Sequence, residues 1–426
     1  MNVLLIGSGG REHAIAWKLS LSNKLGSLFI APGNAGTSEL GTNVNINVSN
    51  FKNIETFILN NNIDILVVGP ENIIVEGIFD YLNPIFPTLI IIAPSKKGSL
   101  LEGSKKFAKE FMHKHGIPTA KYASFKTKEF EKGLSYLKTL SPPYVLKANG
   151  LAAGKGVVIL DSLVDAEREL KEMLIEKKFG EASIEVLIEE FLSGIELSVF
   201  VLTNGINYKI LPTAKDYKRI GEGDTGLNTG GMGSVSPVPF VNKNLMSKIE
   251  NLIIKPTIDG LKKENILYNG FIFFGLIYKE GEIKVIEYNV RLGDPETQVV
   301  LPRLKSDLLD LFSTINDVDT FNKKTIEISD QYCSTVILTS EGYPGKYSKG
   351  LPISGIKKVD NRNLIFQAGT INKNNQIQTN GGRVIAVGGL GNNIKLSLKN
   401  SYDLVDNIHF EGMYYRKDIG SDLVTK

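Results

Sequence analysis

The sequence predicts a multidomain chain of mixed α/β and α+β class, with a parallel α/β domain at the N-terminus, a central α+β region and a β-rich C-terminal domain. Three observations predict it. Apolar strands alternate with helical stretches through residue 95, and a glycine-rich loop at 150–156 joins two apolar strands. From about Gln331 the chain turns to short strands, Thr335 to Leu338 and Val384 to Val387, separated by turns such as Gly342-Tyr343-Pro344-Gly345 and Asn380-Gly381-Gly382. At 426 residues the chain exceeds one core and suits roughly three domains.

In the N-terminal part, Val3-Leu4-Leu5-Ile6 reads as a buried strand, followed by Gly7-Ser8-Gly9-Gly10-Arg11-Glu12-His13 and a helix through Leu21. Glycines let a backbone approach an anion, and a helix N-terminus offers it free N–H groups. As a dinucleotide fingerprint the loop fails, because Glu12 stands at the third glycine position. The second strand, Ser27-Leu28-Phe29-Ile30, also ends in Ala31-Pro32-Gly33-Asn34 without a ribose-binding acid. Strands at 63–68 and 89–92 complete a parallel sheet whose C-terminal edge, with Gly9, Asn34 and Glu71, is the expected ligand edge. His13 is read as structural.

A helix is predicted over 101–111. His113 and His115, two residues apart near its end, do not share a helix face and make a poor metal pair. Strands 144–147 and 157–160 flank the 150–156 loop, and a helix follows from Asp165 to Lys178. The loop is no Walker A motif, since it runs into a strand and no Ser or Thr follows Lys155. Its two readings are a flap over phosphates, with Lys147 and Lys155 supplying charge, and a solvated glycine turn. The strand from Ile184 to Leu192 passes Ser193-Gly194 into 195–201; unpaired backbone at that junction suits an adenine edge, with Glu196 placed for ribose hydroxyls. Residues 214–233 form a polar, glycine-rich insertion, of the kind that is functional or disordered.

The stretch Val285 to Gln298 organises the rest. It begins as an alternating strand that puts Glu287, Asn289 and Arg291 on one face. Glu and Asn oxygens suit Mg²⁺ beside phosphate oxygens, and an Arg can steady a transferring phosphoryl group. A half-exposed edge strand with a wet face fits the same pattern, and Glu-x-Asn-x-Arg alone does not choose between them.

Composition bounds the function. Hydrophobic content of 42% and charged content of 22% are globular values that argue against disorder. A net charge of +3 gives no nucleic-acid footprint and leaves room for a locally positive cleft. The one cysteine, Cys333, excludes an intrachain disulfide or a cysteine metal cage, and its apolar surroundings mark it as a buried thiol. With no basic leader and no apolar run near 18 residues, neither export nor a membrane span is expected, and the compartment is read as cytoplasmic.

Seven motifs in order carry a resemblance: Gly-x-Gly-Gly-Arg-Glu-His at 7–13, Ala-Pro-Gly-Asn at 31–34, Val-Gly-Pro-Glu at 68–71, Leu-Glu-Gly-Ser-Lys at 101–105, Gly-Leu-Ala-Ala-Gly-Lys-Gly at 150–156, Asn-Thr-Gly-Gly-Met-Gly at 228–233 and Gly-Asp-Pro-Glu-Thr-Gln at 293–298. The chain resembles the phosphoribosylamine–glycine ligases of purine synthesis, which are ATP-grasp enzymes. The resemblance implies an N-terminal parallel α/β domain (1–102), an ATP-grasp domain (103–328) with a mobile lid lobe at about 122–192, and a C-terminal β-rich domain (329–426). It also implies ATP as co-substrate with Mg²⁺ or Mn²⁺, glycine and 5-phosphoribosylamine as substrates, no nucleic acid or membrane partner, and a monomer with this one activity.

Residue by residue, the resemblance makes Glu287 and Asn289 metal ligands, and Arg291, Lys147 and Asp216 the catalytic set. It assigns ATP to Lys105, Lys147, Gly154, Lys155, Gly156, Glu189, Glu190, Phe191, Leu192 and Glu196. The substrates fall to Gly9, Gly10, Asn34, Gly69, Pro70, Glu71, Asn228, Thr229, Gly230, Gly231, Gly293 and Asp294. Asn149 stands where the family has Asp, Leu227 where it has Pro, Leu292 where it has Phe, and Ala93 where a Gly-Pro pair is common; none removes a ligand. Another ATP-grasp carboxylate–amine ligase would keep Glu287 and Asn289 but lack the Arg-Glu-His and Ala-Pro-Gly-Asn motifs. A non-catalytic nucleotide sensor or an NAD-linked oxidoreductase is disfavoured by the metal pair and the missing ribose acid.

Overall fold

A computed structural model describes residues 1–152, 154–360 and 363–424; Ala153 of the glycine loop lies outside them. Strands Asn2–Gly7, Ser27–Pro32, Ile65–Val68 and Ile90–Pro94 pair in parallel, as the alternation of strand and helix predicts. Their apolar runs are buried on both faces because helices cover the sheet on either side. This sheet does not end with the N-terminal segment. Tyr268–Lys279 pairs antiparallel with Ile90–Pro94 through Tyr268 and Asn269, then pairs on with Ile195–Thr203 and Glu282–Asn289. Gly270 makes the crossing feasible: its φ is 140°, and a Cβ there would lie 3.3 Å from the Ala93 nitrogen. One nine-stranded sheet therefore carries both the N-terminal ligand edge and the strand of Glu287.

A separate four-stranded antiparallel sheet, Tyr122–Lys126, Glu185–Glu189, Tyr144–Ala148 and Val157–Leu160, stands over it. Helices Phe130–Leu137 and Leu163–Leu174 back it, closing a small core around Leu146, Leu170, Met173 and Ile188. The third sheet spans Lys215–Asp216, Gly233–Ser236, Tyr332–Thr339, Arg383–Gly391 and Leu364–Gln367, so two strands of the 214–233 insertion belong to the C-terminal sheet. Cys333 is buried in the core between this sheet and the N-terminal one, in keeping with an inert thiol.

Several elements differ from the sequence reading: the helix expected from Asp165 to Lys178 is Leu163–Leu174, and the strand that carries Glu287 ends at Asn289, before Arg291. The helix expected over 101–111 is two, Lys96–Gly103 and Lys105–Lys114, because Ser104 takes an extended conformation and caps the second by accepting from the Phe107 N–H. The strand expected through Leu192 ends at Glu189, and residues 190–194 cross between the two sheets outside any strand, with the Glu190 N–H bonded to the Lys121 carbonyl. The 214–233 insertion is no open loop. Arg219–Gly221 and Thr225–Asn228 form a hairpin around Gly223 and Asp224, both at positive φ. The C-terminal domain holds that hairpin: buried Arg416 pairs with Asp224 at 2.7 Å and Asp418 at 2.7 Å, and the Tyr414 hydroxyl donates to the Ile220 carbonyl.

Candidate active site

The site's floor is the strand Glu282–Asn289. A register shift opposite Gly275 and Leu276 puts Val285 and Tyr288 in the same core although their spacing is odd. Glu287 and Asn289 then share the opposite face, as the simple alternation predicted. Gly275, directly across from Glu287, has no side chain; a Cβ there would lie 3.2 Å from the Glu287 Cγ. A cleft opens at this point, lined by Glu196, Ser198, Asp216, Lys218, Gly275 and Glu287. Burial pushes the Glu287 carboxyl up, but Lys218, Lys147, Lys105 and Arg291 together outweigh it and hold the group below its usual range. Glu287 is therefore an ionised oxygen donor in a cationic cleft.

Arg291 follows, held at several atoms. Its Nη2 donates to Glu102 Oε1 at 2.7 Å and to Asn289 Oδ1 at 3.0 Å, its Nη1 donates to the Leu292 carbonyl, and its Nε is buried without a hydrogen bond and forms an ion pair with Glu71 Oε2 at 3.6 Å. Glu102 also accepts from the Val290 N–H, which locks strand end and guanidinium together. Burial and Glu71 push the Glu102 carboxyl up against the opposing pull of Arg291.

The smaller sheet brings Lys147 over this floor. Lys147 Nζ lies 3.0 Å from Glu189 Oε2, and both side chains are almost fully buried. Lys105, at the start of its helix, donates to the Gly150 carbonyl at 3.2 Å, and burial lowers its ammonium despite Glu287 and Glu189. Gly156 packs inside the loop while Gly154 and Lys155 stand exposed at its tip. Beyond Glu189, Glu190 ties the crossing segment to Lys121 by two bonds, Phe191 is exposed, and Glu196 pairs with Lys218 at 2.5 Å. Asn149 Oδ1 accepts from the Lys106 N–H at 2.9 Å and the Ser104 hydroxyl at 3.0 Å, so the amide braces the helix N-terminus that presents Lys105. Asn149→Asp should raise stability by about 0.5–1 kcal/mol, because a carboxylate strengthens both bonds and faces the positive helix end. Thermal unfolding checks this; a lowered midpoint would contradict it.

The N-terminal edge is built around Glu12. Its carboxylate accepts from the Gly9 N–H at 2.7 Å and pairs with Arg11 at 2.6 Å. It fills the space over Gly7 and Gly69, where added Cβ atoms would lie 2.3 Å and 2.1 Å from it. An internal carboxylate thus occupies the place where a dinucleotide-binding loop receives pyrophosphate. Asp294 closes the edge, accepting from Gln298 and from the Arg11 N–H, with Arg383 beside it at 3.4 Å. Burial raises the Asp294 carboxyl, yet Arg383 and Arg11 bring it below its usual value. Arg383 Nη1 also donates to the carbonyls of Gly230 and Asp294, joining the 228–231 segment to this edge.

Not every expected residue presents a free group here. The Asn34 amide is spent on the Ser8 and Gln367 carbonyls while its oxygen accepts from Gly36 and Thr37. Thr229 braces its own loop through Lys218 and Gly231, and Asn228 lies exposed on the hairpin. Pro70 caps the helix that begins at Glu71, Gly10 packs against Gln298, and Gly293 leaves room for Glu296, whose Oε2 would lie 2.3 Å from a Cβ there. His13 accepts from the Gln367 N–H and packs edge-on against Phe366; burial pushes it down to about 4, so it is neutral and structural. His115 is bonded to Glu264.

Six neighbours carried no individual role in the sequence reading: Arg11, Glu102, Lys109, Lys218, Glu296 and Arg383. Arg11, Glu102 and Glu296 lie inside quoted motifs, which was the available signal. Burial, then nearby Asp216, pushes the Glu296 carboxyl from 4.5 up to about 8. The folded chain thus binds that proton more tightly than the unfolded one, and this contribution to stability falls as pH rises from about 4.5 to 8. Since Gln imitates the protonated acid, Glu296→Gln should match the wild type near pH 4 and gain stability steadily up to pH 8. Denaturant unfolding across that range checks the slope; a constant difference would contradict it.

Two sheets closing on a lysine-rich cleft, a glycine loop and a Glu-x-Asn floor define an ATP-grasp enzyme. A biotin carboxylase domain from Hydrogenobacter thermophilus, crystallised with MgADP, shares this fold at 16% identity with a TM-score of 0.76, covering 97% of this chain and 91% of that one. Family models for phosphoribosylglycinamide synthetase match in sequence: the N domain at residues 1–102, the ATP-grasp (A) domain at 103–297 and the C domain at 333–422. Phosphoribosylamine–glycine ligases from Fusobacterium nucleatum and Pasteurella multocida are 44% and 43% identical, over 99% and 100% of this chain and 98% and 99% of theirs. The crystal structure of the Thermotoga maritima phosphoribosylamine–glycine ligase superposes with a TM-score of 0.84 at 35% identity, covering 98% of this chain and all of that one. The chain belongs to the phosphoribosylglycinamide synthetase family, and it is an ATP-dependent ligase.

Proposed function

We propose that the chain joins glycine to 5-phosphoribosylamine, converting ATP to ADP and phosphate and giving glycinamide ribonucleotide for purine synthesis, as a monomer in the cytoplasm. The observation that carries this reading is the position of Arg291. It bonds to Asn289 on the floor, is braced by Glu102, and pairs through its buried Nε with Glu71 on the N-terminal edge at 3.6 Å. One guanidinium thus stands between a nucleotide cleft and a second ligand edge, where a group activated in one must reach the other.

Phosphoryl transfer needs positioning and charge neutralisation more than a protein nucleophile. A glycine carboxylate oxygen attacks the γ-phosphorus and ADP leaves; the ribosylamine nitrogen then attacks the acyl carbon, and phosphate departs with that carboxylate oxygen. Lys105 and Lys147 hold the nucleotide phosphates, the 150–156 loop covers them, and residues 189–192 with Glu196 hold the nucleoside. Arg291 steadies the phosphoryl group and the acyl phosphate. Asp216 and residues 228–231 face glycine, and Gly9, Glu71 and Asp294 lie along the ribosylamine edge.

The donor set suits Mg²⁺ or Mn²⁺. Among the described residues no group of three or more His, Cys, Asp or Glu side chains could hold a metal. Glu287 and Asn289 alone would share the ion with phosphate oxygens and water, as Mg²⁺ prefers. Bound there, the ion neutralises charge developing on the phosphates. Phosphate release from ATP should require both glycine and 5-phosphoribosylamine; release that ignored glycine would overturn the reading, and release with glycine but another amine would reassign the acceptor.

A further inference from the structure

We infer that Lys109 is a positioning residue for nucleotide binding: it keeps the buried Glu189 carboxylate paired when Lys147 turns from that carboxylate to the nucleotide phosphates. The inference rests on the ligase reading, because it takes Lys147 as a phosphate ligand. Lys109 projects from the helix Lys105–Lys114 and is only 2% exposed. Its Nζ lies 2.9 Å from Glu189 Oε2, the same oxygen that Lys147 meets at 3.0 Å. It also donates to the Thr119 hydroxyl at 2.9 Å and reaches the Ala120 carbonyl at 3.4 Å, so three acceptors fix it in place. Thr119 in turn donates to the Val285 carbonyl on the floor strand.

Two ammonium groups therefore serve one carboxylate, and only one of them is fixed on other acceptors. A buried ion stripped of its partner is costly, whereas an ion that keeps one of two partners is not. Lys147 is the movable partner: it stands on the lid sheet, close enough to Glu287 to help hold that carboxylate ionised. With Lys109 in place, Lys147 can leave Glu189 without baring it. Without Lys109, Lys147 becomes the counter-ion of a carboxylate that is 3% exposed and is held back from phosphate. Burial drives the Lys109 ammonium down to about 8, with neighbouring Lys147 adding to the shift and Glu189 opposing it.

The test is a double-mutant cycle on the full-length chain, reading the Kd of MgADP by calorimetry and the KM of glycine by turnover. Lys109→Met should weaken MgADP at least tenfold with glycine KM within twofold of wild type. In the Glu189→Gln background, where there is no carboxylate to compensate, the same substitution should change MgADP affinity less than threefold. Wild-type affinity in Lys109→Met, or an equal loss in both backgrounds, would overturn the inference. Should Lys109→Met fail to fold, the comparison of Glu189→Gln with the double variant decides: a change under threefold supports the inference and a tenfold loss overturns it. A wild-type chain that bound no adenine nucleotide would overturn the ligase reading and this inference together, whereas wild-type binding with unaltered Lys109→Met would overturn the inference alone.

Discussion

Glu287→Gln is expected to lower kcat by about 10³-fold or more while the chain stays folded. The carboxylate faces Lys218, Lys147, Lys105 and Arg291 in a cleft formed partly by the missing side chain of Gly275. The amide keeps the shape and loses the charge. Removing the charged ligand of an ion at a phosphoryl-transfer site costs several kcal/mol in the transition state, and about 4 kcal/mol corresponds to about 10³ in rate. The effect on stability is small by comparison, because Glu287 is half-buried, not sealed in the core. Single-turnover kinetics together with thermal unfolding separate the two quantities. Near-normal kcat in a folded variant would remove Glu287 from the metal assignment.

Arg291→Lys should lower kcat by about 10²–10³-fold while changing nucleotide affinity by only a few-fold. A single ammonium cannot reproduce the planar fork that spans Glu102, Asn289 and the Leu292 carbonyl while setting Nε beside Glu71. The charge survives but its direction does not, and a preorganised donor aimed at a developing charge is worth about 3–4 kcal/mol. Loss of the charge-assisted bond to Glu102 should also lower stability by about 1–3 kcal/mol, since Glu102 is left partly unpaired in a buried position. An equal loss in kcat and in nucleotide affinity would mean that Arg291 serves the nucleotide and not the transfer.

What the sequence made legible was local. Alternation placed Glu287 and Asn289 on one face, a short-range consequence of strand geometry, whereas Arg291 lies beyond the strand's end and meets Asn289 through its side chain. The register shift opposite Gly275 had only the apolar doublet Val285-Ile286 as its signal, and that break in the alternation does not say which partner strand absorbs it. Braces between distant segments were equally hidden: Glu102 lies 189 residues from Arg291, and Lys109 meets Glu189 across the lid boundary. Asn34 shows the converse. Its turn looked like a ligand edge, but the amide is taken up by the Gln367 carbonyl 333 residues away. The 214–233 insertion read as a loop because its strands are short, two of them paired only with each other and two joined to the C-terminal sheet.

The continuous sheet from the N-terminal edge to the floor strand explains how one guanidinium can serve two ligands. Strands Ile90–Pro94 and Tyr268–Lys279 are hydrogen-bonded neighbours, so Glu71 and Asn289 are fixed relative to each other by backbone and not by a flexible interface. The smaller sheet, by contrast, closes its own core and meets the rest through Asn149, the Lys109–Glu189 pair and the crossing segment 190–194.

The central claim is that a carboxylate oxygen of glycine crosses to the γ-phosphate beside Arg291. Turnover with glycine labelled with ¹⁸O in its carboxylate tests it most directly. The account predicts that each phosphate released carries one oxygen from glycine, because the acyl phosphate is cleaved at its carbon by the amine. Released phosphate without label, formed at the same rate as glycinamide ribonucleotide, would contradict it.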